Sequence, residues 1–194
     1  MSKKKEVVIP EIPYLEAELK RVKYKTRYWS VFRSTVYILV TVAAVAVLVA
    51  TLWLPVLQIY GSSMTPTLSE GDIVVSLKSH DYEYGDIVAF YYNNKILVKR
   101  VIAGPGEWVD IKPDGKVYIN ELMKEEPYIE DKSFGDCNIA LPYQVPESRI
   151  FVMGDHRSVS MDSRNSAVGC IAEEQIVGKI VFRVWPLDQF GAIQ

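Results

Sequence analysis

Residues 71–103 read GDIVVSLKSHDYEYGDIVAFYYNNKILVKRVIA. Three runs stand out, GDIVVSL (71–77), GDIVAFYY (85–92) and KILVKRVIA (95–103). Each is short, rich in Val, Ile and aromatic residues, and bounded by turn formers, and none sustains a helical apolar period. They read as β-strands. GDIV occurs twice, and two copies mark two strand starts after similar turns rather than a repeat protein. Further strand-like runs follow: EWVDIK (107–112), KVYINE (116–121), RIFVMG (149–154) and QIVGKIVFRVW (175–185). Gly104-Pro105-Gly106 marks a reversal, and Pro113-Asp114-Gly115 suggests a hairpin turn. Residues 120–148 break the rhythm with Pro127, Pro142 and Pro146 and read as a surface insertion or small subdomain. The expected architecture of residues 58–194 is mostly β: an irregular, antiparallel, barrel-like domain that buries one face of each strand.

The chain upstream differs. Residues 34–57 carry no charge, and Thr35–Leu57 reads TVYILVTVAAVAVLVATLWLPVL. As a helix it would reach roughly 34 Å, enough to cross a hydrocarbon core of about 30 Å. It has no polar face, so a buried core helix is disfavoured. A cleavable signal peptide has a short basic start and a shorter apolar stretch, whereas 33 residues precede this run, so a retained transmembrane helix at 34–57 is expected. Residues 1–33 hold nine Lys/Arg and four Glu, a basic arm expected to stay in the cytoplasm. Residues 58–194 would then be extracytoplasmic. They hold 13 basic and 20 acidic residues, a balance that argues against a nucleic-acid-binding surface. Cys137 and Cys170 fall in this outer part, where a disulfide is permitted, although the sequence cannot show that they meet. No residues have metal-ligand spacing, and no cofactor is expected.

Three clusters could do chemistry. Gly61-Ser62-Ser63-Met64-Thr65-Pro66-Thr67-Leu68 follows the apolar run, and a serine in so tight a turn could aim its own N–H at a bound carbonyl oxygen. An ordinary linker turn has the same composition. In KILVKRV, alternation puts Lys99 on the face of Leu97 and Val101, and Arg100 on the opposite face with Val98 and Ile102. A solvent-facing lysine is the plainer reading. Desolvation would instead lower its pKa, and a neutral amine could take the proton of a serine hydroxyl. The third cluster, Gly154–Arg164 (GDHRSVSMDSR), is dense in hydrogen-bonding side chains, as a polar surface loop also is. Ser160 could orient a lysine amine, and Asp162 with Arg164 could form a charge-assisted pair. A Ser–His–Asp triad would need His156 and the adjacent Asp155 to act as base and orienter, which neighbouring residues do poorly, while His80 sits in a polar turn.

Together these motifs resemble the type I signal peptidases across nearly all of residues 30–185. SSMTPTL matches the family's nucleophile motif, GDIVAF with VKRVIAGPGE its lysine motif, and GDHRSVSMDSR its third motif. The resemblance implies a membrane-bound serine endopeptidase that removes signal peptides from secreted preproteins, cutting after small residues at −1 and −3 in the Ala-x-Ala pattern. Ser63 would be the nucleophile and Lys99 the general base, with Ser160 holding the amine and Asp162 and Arg164 bracing the site. The Ser63 N–H would form one side of the oxyanion hole. Some members place a serine hydroxyl two residues before the nucleophile; Gly61 stands there, as in the Gram-positive branch, leaving a backbone N–H or an ordered water as second donor. Ile59, Tyr60, Leu68, Leu97 and Val98 would line shallow substrate pockets. Implied partners are preproteins and the lipid bilayer, near the secretion translocon, with the serine close to the outer leaflet. A non-catalytic relative that assists pilus or surface-protein assembly is the alternative, although such relatives tend to lose the serine or the lysine.

Overall fold

The computed structural model describes residues 12–79 and 81–193. The chain divides into two units, residues 1–49 and 50–194. Helix α1 runs Ile12–Trp53, and its residues from 12 to 49 are all exposed. Apolar side chains cover every side of its stretch from Val36 to Val49, which suits a lipid environment. Thr26, Thr35 and Thr41 return their hydroxyls to the carbonyls of Val22, Val31 and Tyr37, so these polar groups are satisfied within the helix. The helix ends at Trp53, before the uncharged run does. Pro55 has no N–H and disfavours helical backbone at Leu54, and Val56–Gln58 is already a strand.

The second unit is built from twelve short strands: β1 (Val56–Gln58), β2 (Ile73–Leu77), β3 (Ile87–Tyr92), β4 (Lys95–Ala103), β5 (Trp108–Ile111), β6 (Val117–Ile119), β7 (Leu122–Met123), β8 (Tyr143–Gln144), β9 (Arg149–Met153), β10 (Ile171–Ala172), β11 (Ile176–Trp185) and β12 (Gly191–Ala192). Eight form one sheet in the order β1-β2-β11-β3-β4-β9-β10, with β12 also on β11. The other four form a smaller sheet, β7-β6-β5-β8. Every pairing is antiparallel. The large sheet is an open path whose ends are β1 and β10.

The tightest connection joins β3 to β4 through Asn93 and Asn94, both at positive φ, as a two-residue primed turn requires. It puts Val88 opposite Lys99 and Ile87 opposite Arg100. β9 pairs with β4 only from Arg100 onward, so residues 95–99 have strand β3 on one edge and, among the described residues, no strand on the other. β1 likewise pairs with β2 alone. Three apolar clusters form the core. One, with Val109, Ile111, Val117, Ile119 and Phe151, lies beneath the small sheet, and another, with Ile59, Met64, Leu68 and Val74, lies beneath the turn at 61–68.

Residues 120–148 enter this interior. They contribute β7 and β8 to the small sheet, and Glu126, Ile129 and Val145 are buried. Glu126 forms a two-point ion pair with Arg157 in which neither side chain is exposed. Removing one member of such a pair leaves the other charge buried and uncompensated. Glu126→Ala is therefore expected to lower stability by about 3–5 kcal/mol, read from denaturant unfolding in detergent. A loss within about 0.5 kcal/mol would return Glu126 to the surface.

Candidate active site

The turn at 61–68 starts at Gly61, whose φ of +80° suits glycine. Met64 and Leu68 are buried beneath it and anchor it to the core, which leaves Ser63 beside β4. Lys99 Nζ lies 2.7 Å from Ser63 Oγ and 3.1 Å from the Val98 carbonyl. Only 3% of Lys99 is exposed. Burial draws its amine down from 10.5 to about 8, against the opposing pull of Asp162 and Asp155, with Arg164 adding to the depression.

Strand alternation sends Arg100 the other way. Its guanidinium makes a two-point pair with Asp155 (Nε to Oδ1 2.9 Å, Nη2 to Oδ2 2.8 Å), donates to the Gly85 carbonyl and stacks on the Tyr128 ring at 3.8 Å. Thr67 donates to the same carboxylate at 2.5 Å, so the nucleophile turn is tied to the Arg100–Asp155 pair. Asp162 accepts from Arg164 at both carboxylate oxygens, 2.8 Å each, and from the Gly154 N–H at 2.9 Å. Arg164 also donates to the carbonyls of Phe134 and Arg157. Arg157 donates to the Gly154 carbonyl. Three buried arginine–carboxylate pairs thus brace loop 154–164, and one of them, Arg100–Asp155, ties it to the turn at 61–68 through Thr67. Gly154 is where the two backbones meet: a Cβ there would come within 2.5 Å of the Ser63 carbonyl and would also strike Ser160 Oγ.

The structure thus brings Ser63 to Lys99, and Asp162 to Arg164. Ser160 is 3% exposed, and its hydroxyl makes no hydrogen bond among the described residues. The amine instead binds Ser63 and the Val98 carbonyl. His156 points at Thr65, with Nδ1 3.0 Å from Oγ1. His80 lies outside the described residues. Cys137 and Cys170 are both free thiols; Cys170 is buried in the core, which pushes its thiol up to about 11. Arg100, Arg157, Glu126 and Thr67 join the site although the sequence assigns them no role in it, and Asp155 joins it as the partner of Arg100 rather than as an orienter of His156. Arg100 and Asp155 had a signal in the adjacent Lys-Arg and Gly-Asp pairs, whereas Glu126 had none among its acidic neighbours.

A cleft of about 710 Å³ opens at Ser63. Its walls are residues 56–61 on one side and 95–99 on the other, so the sheet curls to bring β1 to face β4. Ile59, Tyr60, Leu97 and Val98 line it, together with Val56, Leu57, Met64 and Ile96. Leu68 is fully buried and packs in the core beneath rather than in the cleft wall.

A lysine whose folded value is below its unfolded one leaves the unfolded chain holding more protons between about 8 and 10.5, so stability rises with pH across that window. Lys99→Met removes the buried charge. It is expected to raise stability at pH 7 by about 3 kcal/mol, with the gain fading between about pH 8 and 10.5, as measured by unfolding at several pH values. An equal effect at pH 7 and pH 10.5 would show that Lys99 is not desolvated.

The family model for signal peptidase, peptidase S26, matches residues 32–185. Signal peptidase IB of Staphylococcus aureus (strain COL) is 40% identical over 152 residues, covering 68% of this chain and 78% of that protein. Thylakoidal processing peptidase 1, chloroplastic, of Arabidopsis thaliana is 35% identical over 146 residues, 66% of this chain; the match spans only 41% of the plant protein. The crystal structure of a signal peptidase I from Enterococcus faecalis aligns with a TM-score of 0.44 at 28% identity, covering 51% of this chain and 96% of that one.

Proposed function

The chain belongs to the signal peptidases of family S26, and from that premise we propose that it removes N-terminal signal peptides from secreted preproteins, with Ser63 as nucleophile and Lys99 as general base. The observation that carries this reading is the 2.7 Å contact between a serine hydroxyl and a desolvated lysine amine at the end of an apolar cleft. With a pKa of about 8, roughly a tenth of the amine is neutral at pH 7, against less than a thousandth for an unperturbed lysine.

In the proposed reaction Ser63 Oγ attacks the carbonyl carbon of the −1 residue while its proton passes to Lys99 Nζ. The Ser63 N–H donates to the developing oxyanion. Collapse breaks the C–N bond, and Lys99 returns the proton to the leaving amine. Water, deprotonated in turn by Lys99, then hydrolyses the acyl ester. Val98 and its carbonyl, Asp162 and Arg164 hold the amine's surroundings, and Ser160 supplies a buried hydroxyl in the loop packed against Ser63.

The cleft suits an extended peptide. Residues 95–99 offer an unpaired strand edge, and β1 offers another across the cleft. A peptide strand added between them gains main-chain hydrogen bonds. Both walls run toward Ser63, so residues upstream of the scissile bond would lie toward Val56 and Lys95, parallel to the walls. Ile59, Met64 and Val98 crowd the end near Ser63, which favours small side chains at −1 and −3, the Ala-x-Ala pattern. Leu68, behind Met64, would act by backing that wall.

The protein is membrane-anchored through α1. The nine basic residues before the uncharged run favour a cytoplasmic N-terminus, which places residues 58–194 outside, where a preprotein emerges from the translocon. Residues 1–33, 34–57 and 58–194 would then be cytoplasmic arm, membrane segment and catalytic domain.

The test is cleavage of a preprotein peptide containing Ala-x-Ala by the full chain in detergent. Cleavage is expected after the second Ala, rising with pH through about 8. Ser63→Ala and Lys99→Ala should each lose at least about 10³-fold in kcat while remaining folded. Near-normal turnover by Lys99→Ala would remove the lysine base, and an inactive wild type would bring the assembly-factor reading forward.

A further inference from the structure

We infer that Thr65 and His156 form a hydrogen-bonded relay that orients and polarises the Ser62–Ser63 peptide, the peptide whose N–H faces the oxyanion. The inference rests on the peptidase reading above and adds two positioning residues to it.

The Ser62 carbonyl oxygen accepts two hydrogen bonds from one residue, the Thr65 N–H at 3.2 Å and the Thr65 hydroxyl at 2.9 Å. A hydroxyl has one proton to give, and here it goes to Ser62. The 3.0 Å contact between Thr65 Oγ1 and His156 Nδ1 therefore needs its proton on the ring nitrogen. The neutral Nδ1–H tautomer supplies it. The same residue's backbone N–H donates to the Ser63 carbonyl at 3.1 Å. His156 thus holds the peptides on both sides of the nucleophile, one directly and one through Thr65.

The peptide unit is planar, so fixing the Ser62 oxygen on one edge fixes the direction of the Ser63 N–H on the other. Hydrogen bonds accepted at that oxygen also draw charge from the amide and strengthen the N–H as a donor. The Ser63 N–H makes no backbone hydrogen bond among the described residues, so it is free for substrate. An oxyanion forms only on the way to the transition state, so losing the relay should lower kcat and leave KM in place. The geometry also separates His156 from the base: Ser63 Oγ has Lys99 at 2.7 Å, while Nδ1 is spent on Thr65.

The experiment is steady-state cleavage of the Ala-x-Ala peptide by the full chain in detergent, for wild type, His156→Ala, Thr65→Val and the double variant. Thr65→Ser keeps the hydroxyl, and His156→Asn can present an amide N–H near the place of Nδ1–H. Each disruptive single variant is expected to lose about 10-fold in kcat with KM within about twofold, less than the full loss of an oxyanion donor. The double variant should be no slower than the slower single, since both break one relay. The conservative variants should recover to within about threefold, and the midpoint of the pH–rate rise should stay with Lys99. Wild-type kcat in His156→Ala, additive losses in the double variant, or a moved pH midpoint would each overturn the relay. Those outcomes leave the peptidase reading standing, because wild type still cleaves; a wild type that does not cleave overturns both.

Discussion

The arrangement depends on one buried lysine amine held 2.7 Å from a serine hydroxyl. Two carboxylates, Asp162 and Asp155, lie close enough to favour its charged form, but burial outweighs them. Each is already committed to an arginine, Asp155 to Arg100 and Asp162 to Arg164, with all four side chains buried. Arg164, beside Asp162, adds to the depression of the amine. The Asp162–Arg164 pair therefore matters for more than stability, since its two charges act on Lys99 in opposite directions.

The backbone produces this through strand alternation and an incomplete sheet. Consecutive residues of β4 face opposite ways, so Lys99 reaches the nucleophile while Arg100 reaches the pair that ties down the turn carrying it. β9 joins β4 only from Arg100, which leaves the preceding five residues as an open strand edge. The residue where pairing stops is thus next to the residue that would do the chemistry, and the site sits where the sheet leaves room for one more strand.

Much of this was legible in the sequence where the signal was local. Val/Ile-rich runs bounded by turn residues marked β2, β3, β4, β5, β6, β9 and β11, and the Lys-Arg dipeptide in a strand implied the divergence of Lys99 and Arg100. Contacts between distant segments were not legible. Glu126 is one acid among several in a proline-broken stretch, and only the folded chain brings it to Arg157. Leu68 follows the nucleophile motif and reads as a cleft residue, but the turn at 61–68 rolls it into the core beside Met64. The uncharged run extends to Leu57 and gives no sign of where the helix stops within it, whereas Pro55 and pairing with β2 release Val56 and Leu57 to strand. Ser160 has the residue type to hold an amine, yet whether a hydroxyl touches it depends on rotamer and loop placement that a motif does not carry.

The most direct measurement is the titration of the Lys99 ε-amine itself, followed by NMR in protein labelled at lysine and assigned by comparison with Lys99→Met. The account requires a midpoint near 8, shared by no other lysine, and a return toward the ordinary value when Asp162 loses its guanidinium partner in Arg164→Met. A Lys99 midpoint close to 10.5 would contradict it, because an amine charged at every physiological pH cannot take the proton from Ser63.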